Sequence, residues 1–239
     1  MTISAQKLRV KIFADGADRA AILELYKDPL IKGFTTNPTL MRKAGVNDYE
    51  AFAKDLLREV KDRPISFEVF SDEFAEMEIQ AMKIASWAEN VYVKIPVTNT
   101  RGEDSAPLVA RLAGRGVKVN ATAILTIAQV QTIARALAGG PPSIISVFAV
   151  RIADTGTDPL PVMKAALEVV APHRNIEIIW ASPRELLNVV QAEQIRCHII
   201  TVTPDLLKKL PLLGRDLADV SLDTVQMFHR DAAAAGYTL

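Results

Sequence analysis

The sequence predicts an α/β protein, a single (β/α)8 or TIM barrel with one additional C-terminal helix. Three observations carry this expectation. Short β-branched runs alternate with longer segments whose apolar residues recur every three or four positions, and the alternation repeats eight times along 239 residues. No Gly/Ser/Pro-rich linker divides the chain, and barrels of about 250 residues commonly form one unit, so residues 1–239 read as one domain. An open doubly wound sheet is the second choice, but the G-x-G-x-x-G turn of its dinucleotide-binding form is missing.

Taken in order, strand one is expected at 8–14 (LRVKIFA), and Asp15-Gly16-Ala17-Asp18 then leads into a helix over 18–26. Strand two, 31–36 (IKGFTT), runs into Asn37-Pro38, and a helical pattern over 48–61 precedes strand three at 64–70 (PISFEVF). A helix over 72–88 leads to strand four, 91–96 (VYVKIP), and a helix over 103–113 leads to strand five, 117–121 (VKVNA). After a helix over 127–138, Gly139-Gly140-Pro141-Pro142 predicts a sharp turn into strand six at 143–148 (SIISVF). Helix 159–171, strand seven at 176–180 (IEIIW), helix 183–192, strand eight at 197–202 (CHIITV) and helix 204–210 complete the cycle. Beyond Leu222, the spacing of Val225, Phe228, Ala232 and Ala235 predicts an amphipathic helix over 222–237, suited to cover the barrel or a neighbouring subunit.

Composition narrows the function classes. Lys+Arg and Asp+Glu both number 28 and are scattered rather than in runs, so the chain has no electrostatic footprint for nucleic acid or an anionic membrane. Small molecules are the expected partners. A single cysteine, Cys197, excludes an intramolecular disulfide and a multi-cysteine zinc site, and a reducing compartment follows. The first ten residues lack an apolar signal core and no later stretch matches a membrane span of about 20 residues, so a cytoplasmic protein is expected. His173, His198 and His229 are dispersed and form no ligand pair, so no metal is expected. Cys197 and the helical triplet Met77, Met82 and Trp87 read as packing residues.

In such a barrel the carboxyl ends of the strands carry the active site. Seven consecutive strands here end in polar groups: Asp15, Thr35-Thr36-Asn37, Glu68, Lys94, Asn120 with Thr122, Ser146 with Arg151, and Ser182 with Arg184. Lys94 is the most informative, because lysine is rarely buried without a partner and this one lies between Tyr92, Val93, Ile95 and Pro96. It is either a strand lysine reaching solvent or Glu68, or a Schiff-base nucleophile; an amine attacks a carbonyl only when neutral, and apolar surroundings disfavour the charged form. Asp15 is either a turn and cap residue or an acid/base, and Glu68 is either an ion-pair partner of Lys94 or the group that orients water. Asn37, Asn120 and Thr122 suit sugar hydroxyls, although turns and caps use the same residues. Arg151 and Arg184, beside Ser182, fall where barrels commonly place a phosphate.

From Phe13 to about Ile200 the chain resembles the transaldolases, specifically the short branch that includes the fructose-6-phosphate aldolase-like proteins. The strongest motifs are Thr35-Thr36-Asn37-Pro38 and Val93-Lys94-Ile95-Pro96-Val97-Thr98. The resemblance implies that Lys94 forms the imine, that Asp15 is the acid/base, and that Glu68 and Thr122 hold the catalytic water. It further implies that Asn37, Asn120 and Ser146 bind donor hydroxyls and that Arg151, Arg184 and Ser182 bind phosphate. The FADGAD context of Asp15, Pro183 between Ser182 and Arg184, and the longer loop TNTRGED after the lysine motif depart from the family pattern. The implied activity is transfer of a dihydroxyacetone unit from a ketose phosphate to an aldose acceptor, with no cofactor and with sugar phosphates as the partners. Two alternatives stay open: an aldolase releasing free dihydroxyacetone, and a catalytically silent sugar-phosphate-binding barrel. Aldolase-like members typically carry Gln in place of Glu68 and Tyr in place of Phe148, so this pair resembles the transferase pattern. The resemblance also implies a homo-oligomer joined through C-terminal helices.

Overall fold

The computed structural model describes residues 7–237; Met1–Gln6, part of the segment read for a signal, and Thr238–Leu239 lie outside the described residues. Eight parallel strands close in sequence order, with β8 pairing back onto β1. They are β1 (Lys11–Asp15), β2 (Ile31–Thr35), β3 (Ile65–Glu68), β4 (Val91–Pro96), β5 (Val119–Ile124), β6 (Ser143–Val147), β7 (Ile176–Trp180) and β8 (Ile199–Val202). Around them lie α1 (Arg19–Tyr26), α2 (Pro38–Lys43), α3 (Tyr49–Glu59), α4 (Phe74–Ala85), α5 (Ala106–Gly114) and α6 (Ile127–Leu137). The circuit continues with α7 (Ala149–Ala153), α8 (Pro159–Val170), α9 (Leu186–Gln194), α10 (Pro204–Leu207) and the long α11 (Leu217–Ala235).

The two-residue period of a strand divides the molecule into layers. Residues facing out from the strands, such as Ile12, Phe67, Val93, Ala121 and Ile178, join the helices in one large core. The alternate positions face inward, where Phe13, Ile144, Ile179, Ala181 and Ile199 form a second cluster with Tyr92 and Phe148 against it. Two positions further along the same strands stand Asp15, Lys94, Ser146 and Thr201, so the polar mouth rests directly on an apolar plug. Gly33 permits this plug, because a Cβ there would stand 2.6 Å from a Phe13 ring carbon.

Strand five departs from its expected span of 117–121. Gly116, at φ 81°, ends the α5 turn and Val117 N–H bonds back to Leu112 O, so the strand starts only at Val119. It then runs on through Asn120 and Thr122 to a β-bulge between Ala121 and Ile124, with Ala123 at φ 61°. Strand three stops at Glu68 rather than residue 70, since Phe70 N–H turns to the Gln80 side chain. The expected turn at Gly139–Pro142 is present, with Gly139 at φ 72°.

The C-terminal helix begins at Leu217 instead of 222, because Asp216 caps the N–H groups of Ala218 and Asp219, and it ends at Ala235, where Gly236 adopts the left-handed conformation. No residue of α11 is buried, and Leu217, Val225 and Phe228 are 84%, 59% and 62% exposed, so it does not cover its own barrel. Among the described residues, no helix is long and apolar enough to cross a membrane.

Candidate active site

A cavity of about 840 Å³ opens at the carboxyl ends of the strands. Ten of the eleven residues singled out in the sequence line it: Asp15, Asn37, Glu68, Lys94, Thr122, Ser146, Phe148, Arg151, Ser182 and Arg184. The eleventh, Asn120, lies fully buried outside the lining. Its Nδ2 donates to Ser66 Oγ (3.0 Å), and its Oδ1 accepts from the Ser146 hydroxyl (2.7 Å), which ties β5 to β3 and β6.

Lys94 is only 7% exposed, and Nζ donates to the Thr36 carbonyl at 3.0 Å and lies 3.0 Å from Glu68 Oε2. The apolar strand therefore carries an amine with two acceptors, one a backbone carbonyl and the other a carboxylate. Both alternatives for Glu68 thus meet in one place, since the ion pair is itself part of the cavity wall. Asp15 faces the same space from β1. Its Oδ1 accepts from Thr35 Oγ1 (2.7 Å), which in turn is 2.5 Å from Thr201 Oγ1. Burial pushes the Asp15 carboxyl above its ordinary value, while the Thr35 hydroxyl and the Lys94 charge pull it back. A carboxyl raised in this way can both take and return a proton.

Thr122 Oγ1 is buried without a hydrogen-bond partner. Such an orphan costs about 1–3 kcal/mol, and the residue that carries it is one of those lining the cavity. Asn37 serves as a cap as well: its Oδ1 accepts from Leu40 N–H (2.9 Å) at the start of α2, and its amide N–H groups bond to no described residue. Phe148 presents only hydrocarbon, seated against the apolar plug. Of the three non-glycine residues with left-handed φ among those described, Ala123 and Ser182 both line this cavity. Backbone strain of this kind concentrates at functional sites.

The two arginines lie on adjacent connections and share an anchor. Both Asp154 carboxylate oxygens lie 2.6 Å from Arg184 guanidinium nitrogens, and Arg151 is 3.8 Å away. Arg184 Nη2 donates one hydrogen bond to Asp154, and the guanidinium makes no side-chain hydrogen bond to any other described residue. Sequence reasoning missed Asp154, although its i,i+3 spacing from Arg151 on a helical turn is a usable signal. It also passed over Thr201 and Lys43, which line the cavity, the former from the eighth strand. The loop TNTRGED does not line the cavity; Arg101 and Thr100 bind it to Glu73 and Asp72 at the surface.

Cys197, His198, Met77, Met82 and Trp87, set aside earlier, serve the packing. Cys197 is buried, and burial pushes its thiol up to about 12; His198 Nδ1 accepts from Ile178 N–H. Met77 lies in the main core, with Met82 and Trp87 packed against it. Among the described residues, no group of three or more His, Cys, Asp or Glu side chains could hold a metal ion.

Comparison with known proteins assigns a family to this arrangement. The profile of the Transaldolase/Fructose-6-phosphate aldolase family matches residues 12–238. The chain is 31% identical over 218 residues to a probable transaldolase of Dehalococcoides mccartyi, covering 90% of this chain and 97% of that one. It is 35% identical over 202 residues to probable transaldolase 2 of Listeria monocytogenes, covering 84% and 88%. A probable transaldolase of Streptococcus agalactiae is 34% identical over 197 residues, covering 82% and 86%. Among solved structures, a putative lyase/mutase from Burkholderia cenocepacia superposes with a TM-score of 0.59 over 98% of this chain and 86% of that one. At 13% identity, that likeness shows the fold alone.

Proposed function

Because the chain belongs to the transaldolase/fructose-6-phosphate aldolase family, we propose that it is a transaldolase that moves a dihydroxyacetone unit between sugar phosphates through an imine on Lys94. The observation that carries this reading is a buried lysine amine, 3.0 Å from a carboxylate, in a cavity that also holds Asp15 and two arginines.

In the proposed sequence Lys94 Nζ passes a proton to Glu68 and adds to the C2 carbonyl of a ketose phosphate. Glu68 returns that proton to the carbinolamine hydroxyl, which leaves as water to give the protonated imine, with Glu68 and the unpaired Thr122 hydroxyl holding that water. Asp15 then takes the proton of the C4 hydroxyl as the C3–C4 bond breaks. The bonding electrons move into the imine to give an enamine, and the first aldehyde leaves. An acceptor aldehyde takes the enamine carbon, Asp15 returns its proton to the new alkoxide, and water releases the product ketose and Lys94. Ser146, held by Asn120, and Asn37 would bind donor hydroxyls. A homo-oligomer would draw on the exposed apolar residues of α11.

Transfer and simple cleavage divide at the enamine. If a proton and water reach it quickly, free dihydroxyacetone leaves; otherwise it waits for an aldehyde. Phe148 offers no hydroxyl to relay a proton or hold water, which favours waiting. A product assay over ketose phosphates, with and without acceptor aldehydes, should therefore show transfer exceeding donor cleavage, and Phe148→Tyr should move the ratio towards cleavage. Rapid donor consumption without acceptor by the wild type would reverse the assignment in favour of an aldolase.

The phosphate reading rests on Arg151, Arg184 and Ser182 at the rim. A hydrogen bond to a charged group is worth about 1.5–3 kcal/mol, so Arg184→Ala or Arg151→Ala should raise KM for phosphorylated donors roughly tenfold or more. Non-phosphorylated donors should be affected far less. Equal losses on both would mean that the arginines serve only their bridges to Asp154.

A further inference from the structure

We propose that Tyr49 is a positioning residue for Glu68, its hydroxyl standing in for the strand partner that β2 does not provide.

Strand β2 pairs with β3 only at Phe34 with Ile65 and Thr35 with Ser66. Thr36 adds two further bonds, from its N–H and its hydroxyl, both to Ser66 O, and the chain then turns away through Asn37 into α2. Glu68 lies two residues beyond Ser66, so its N–H and C=O face the edge that β2 has left. On the opposite edge the ladder continues, since Glu68 is in register with Lys94 and Val69 N–H bonds to Lys94 O. Without another partner, the catalytic end of β3 would be held from one side only.

Tyr49, the first residue of α3, fills that gap. Its hydroxyl accepts from Glu68 N–H at 2.8 Å and donates to Glu68 C=O at 3.1 Å. One phenol thus completes both backbone bonds at the residue whose side chain meets Lys94 Nζ. A tyrosine hydroxyl is both donor and acceptor, whereas phenylalanine is neither and tryptophan only donates. The ring is fixed by edge-on contacts with Phe70 at 4.4 Å and Phe67 at 6.1 Å, and by a tilted contact with Trp87 at 6.0 Å. Burial also raises the phenol well above its ordinary range, so it keeps the proton it donates. Tyr49 does not line the catalytic cavity, so it acts through Glu68 and not on substrate.

The proposal rests on the Lys94–Glu68 reading of the site, and the test separates the two. Tyr49→Phe keeps the ring and its packing but removes both bonds. Misplacing a catalytic group by about 1 Å can lower the rate roughly a hundredfold, so kcat for transfer should fall about tenfold to a hundredfold. KM for a phosphorylated donor should stay near that of the wild type, because the arginines are untouched. The pH profile of kcat should also shift, and hydrogen exchange should quicken in the peptide containing Glu68. Trp87→Phe, which alters the same aromatic cluster and leaves the hydroxyl in place, should keep wild-type kcat and pH profile. The proposal is overturned if Tyr49→Phe exchanges and turns over as wild type, if exchange quickens with kcat and pH profile unchanged, or if Trp87→Phe reproduces the loss. A wild-type protein that forms no borohydride-trapped adduct with donor overturns the site reading and the proposal together. A trapped wild type with an unaffected Tyr49→Phe overturns the proposal alone.

Discussion

Incubation with a ketose phosphate and borohydride is expected to fix a reduced three-carbon adduct on the peptide containing Lys94, and Lys94→Met is expected to remove both the adduct and the activity. Loss of a nucleophile that works as part of a unit lowers kcat by orders of magnitude, on the order of 10⁴ to 10⁶. The amine lies 3.0 Å from Glu68 and from the Thr36 carbonyl, inside a cavity large enough for a sugar phosphate. Methionine matches the length of lysine but leaves Glu68 without its cation. Breaking a sealed ion pair costs about 3–5 kcal/mol, and the cost here should be smaller, because the Glu68 side chain keeps 16% exposure to the cavity. The double variant Lys94→Met/Glu68→Gln should recover that stability and none of the activity, which separates unfolding from lost chemistry. Lys43 is the other lysine lining the cavity. An adduct on Lys43, or turnover by Lys94→Met, would remove Lys94 from the mechanism.

Much of this site is legible in the sequence because a closed parallel barrel brings all its strand ends to one rim. Asp15, Glu68, Lys94 and Thr122 lie on four strands and meet for that reason alone. The period of two then explains why Lys94 sits above Tyr92 and Ser146 above Ile144, with a polar layer over an apolar one. Boundaries were less legible. Strand five slipped because Val117 looks like a strand residue while the α5 turn claims its N–H. The short helices α2 and α7, six and five residues long, offer too few turns for an apolar repeat to register. The start of α11 was missed because Asp216, its cap, lies before the apolar spacing begins. The relations of Tyr49 to Glu68 and of Asp154 to Arg184 were not legible at all. Each joins a helical connection to another part of the rim, separated by 19 and 30 residues, and no strand or helix period encodes such a contact.

Asp15→Asn is expected to abolish most of the activity and at the same time to raise the melting temperature near neutral pH. General acid–base groups contribute typically about 10² to 10⁴ in rate, and asparagine can neither take the C4 hydroxyl proton nor return it. It can still accept from Thr35 Oγ1, so the link to Thr201 is kept. The stability change follows from the direction of the carboxyl's shift. Burial raises Asp15 above its ordinary 3.8, so the folded chain holds this proton more tightly than the unfolded one. Stability from that difference is fully present below the ordinary aspartate range and is lost as pH rises through the raised value. Near neutral pH the wild type therefore bears the cost of this desolvated carboxyl, which the unfolded chain ionises more readily than the folded one, and the amide variant does not. The gain in melting temperature should be present near neutrality and vanish in acid, where the wild-type carboxyl is protonated too. Lys94 should still condense with donor in this variant, but the C3–C4 bond should survive, so borohydride should trap the intact ketose phosphate instead of a three-carbon fragment. A trapped three-carbon fragment would show that another group moves the proton. A melting temperature equal to wild type at neutral pH, or a gain that persists in acid, would show that Asp15 is not held in the strained, raised state that suits an acid/base.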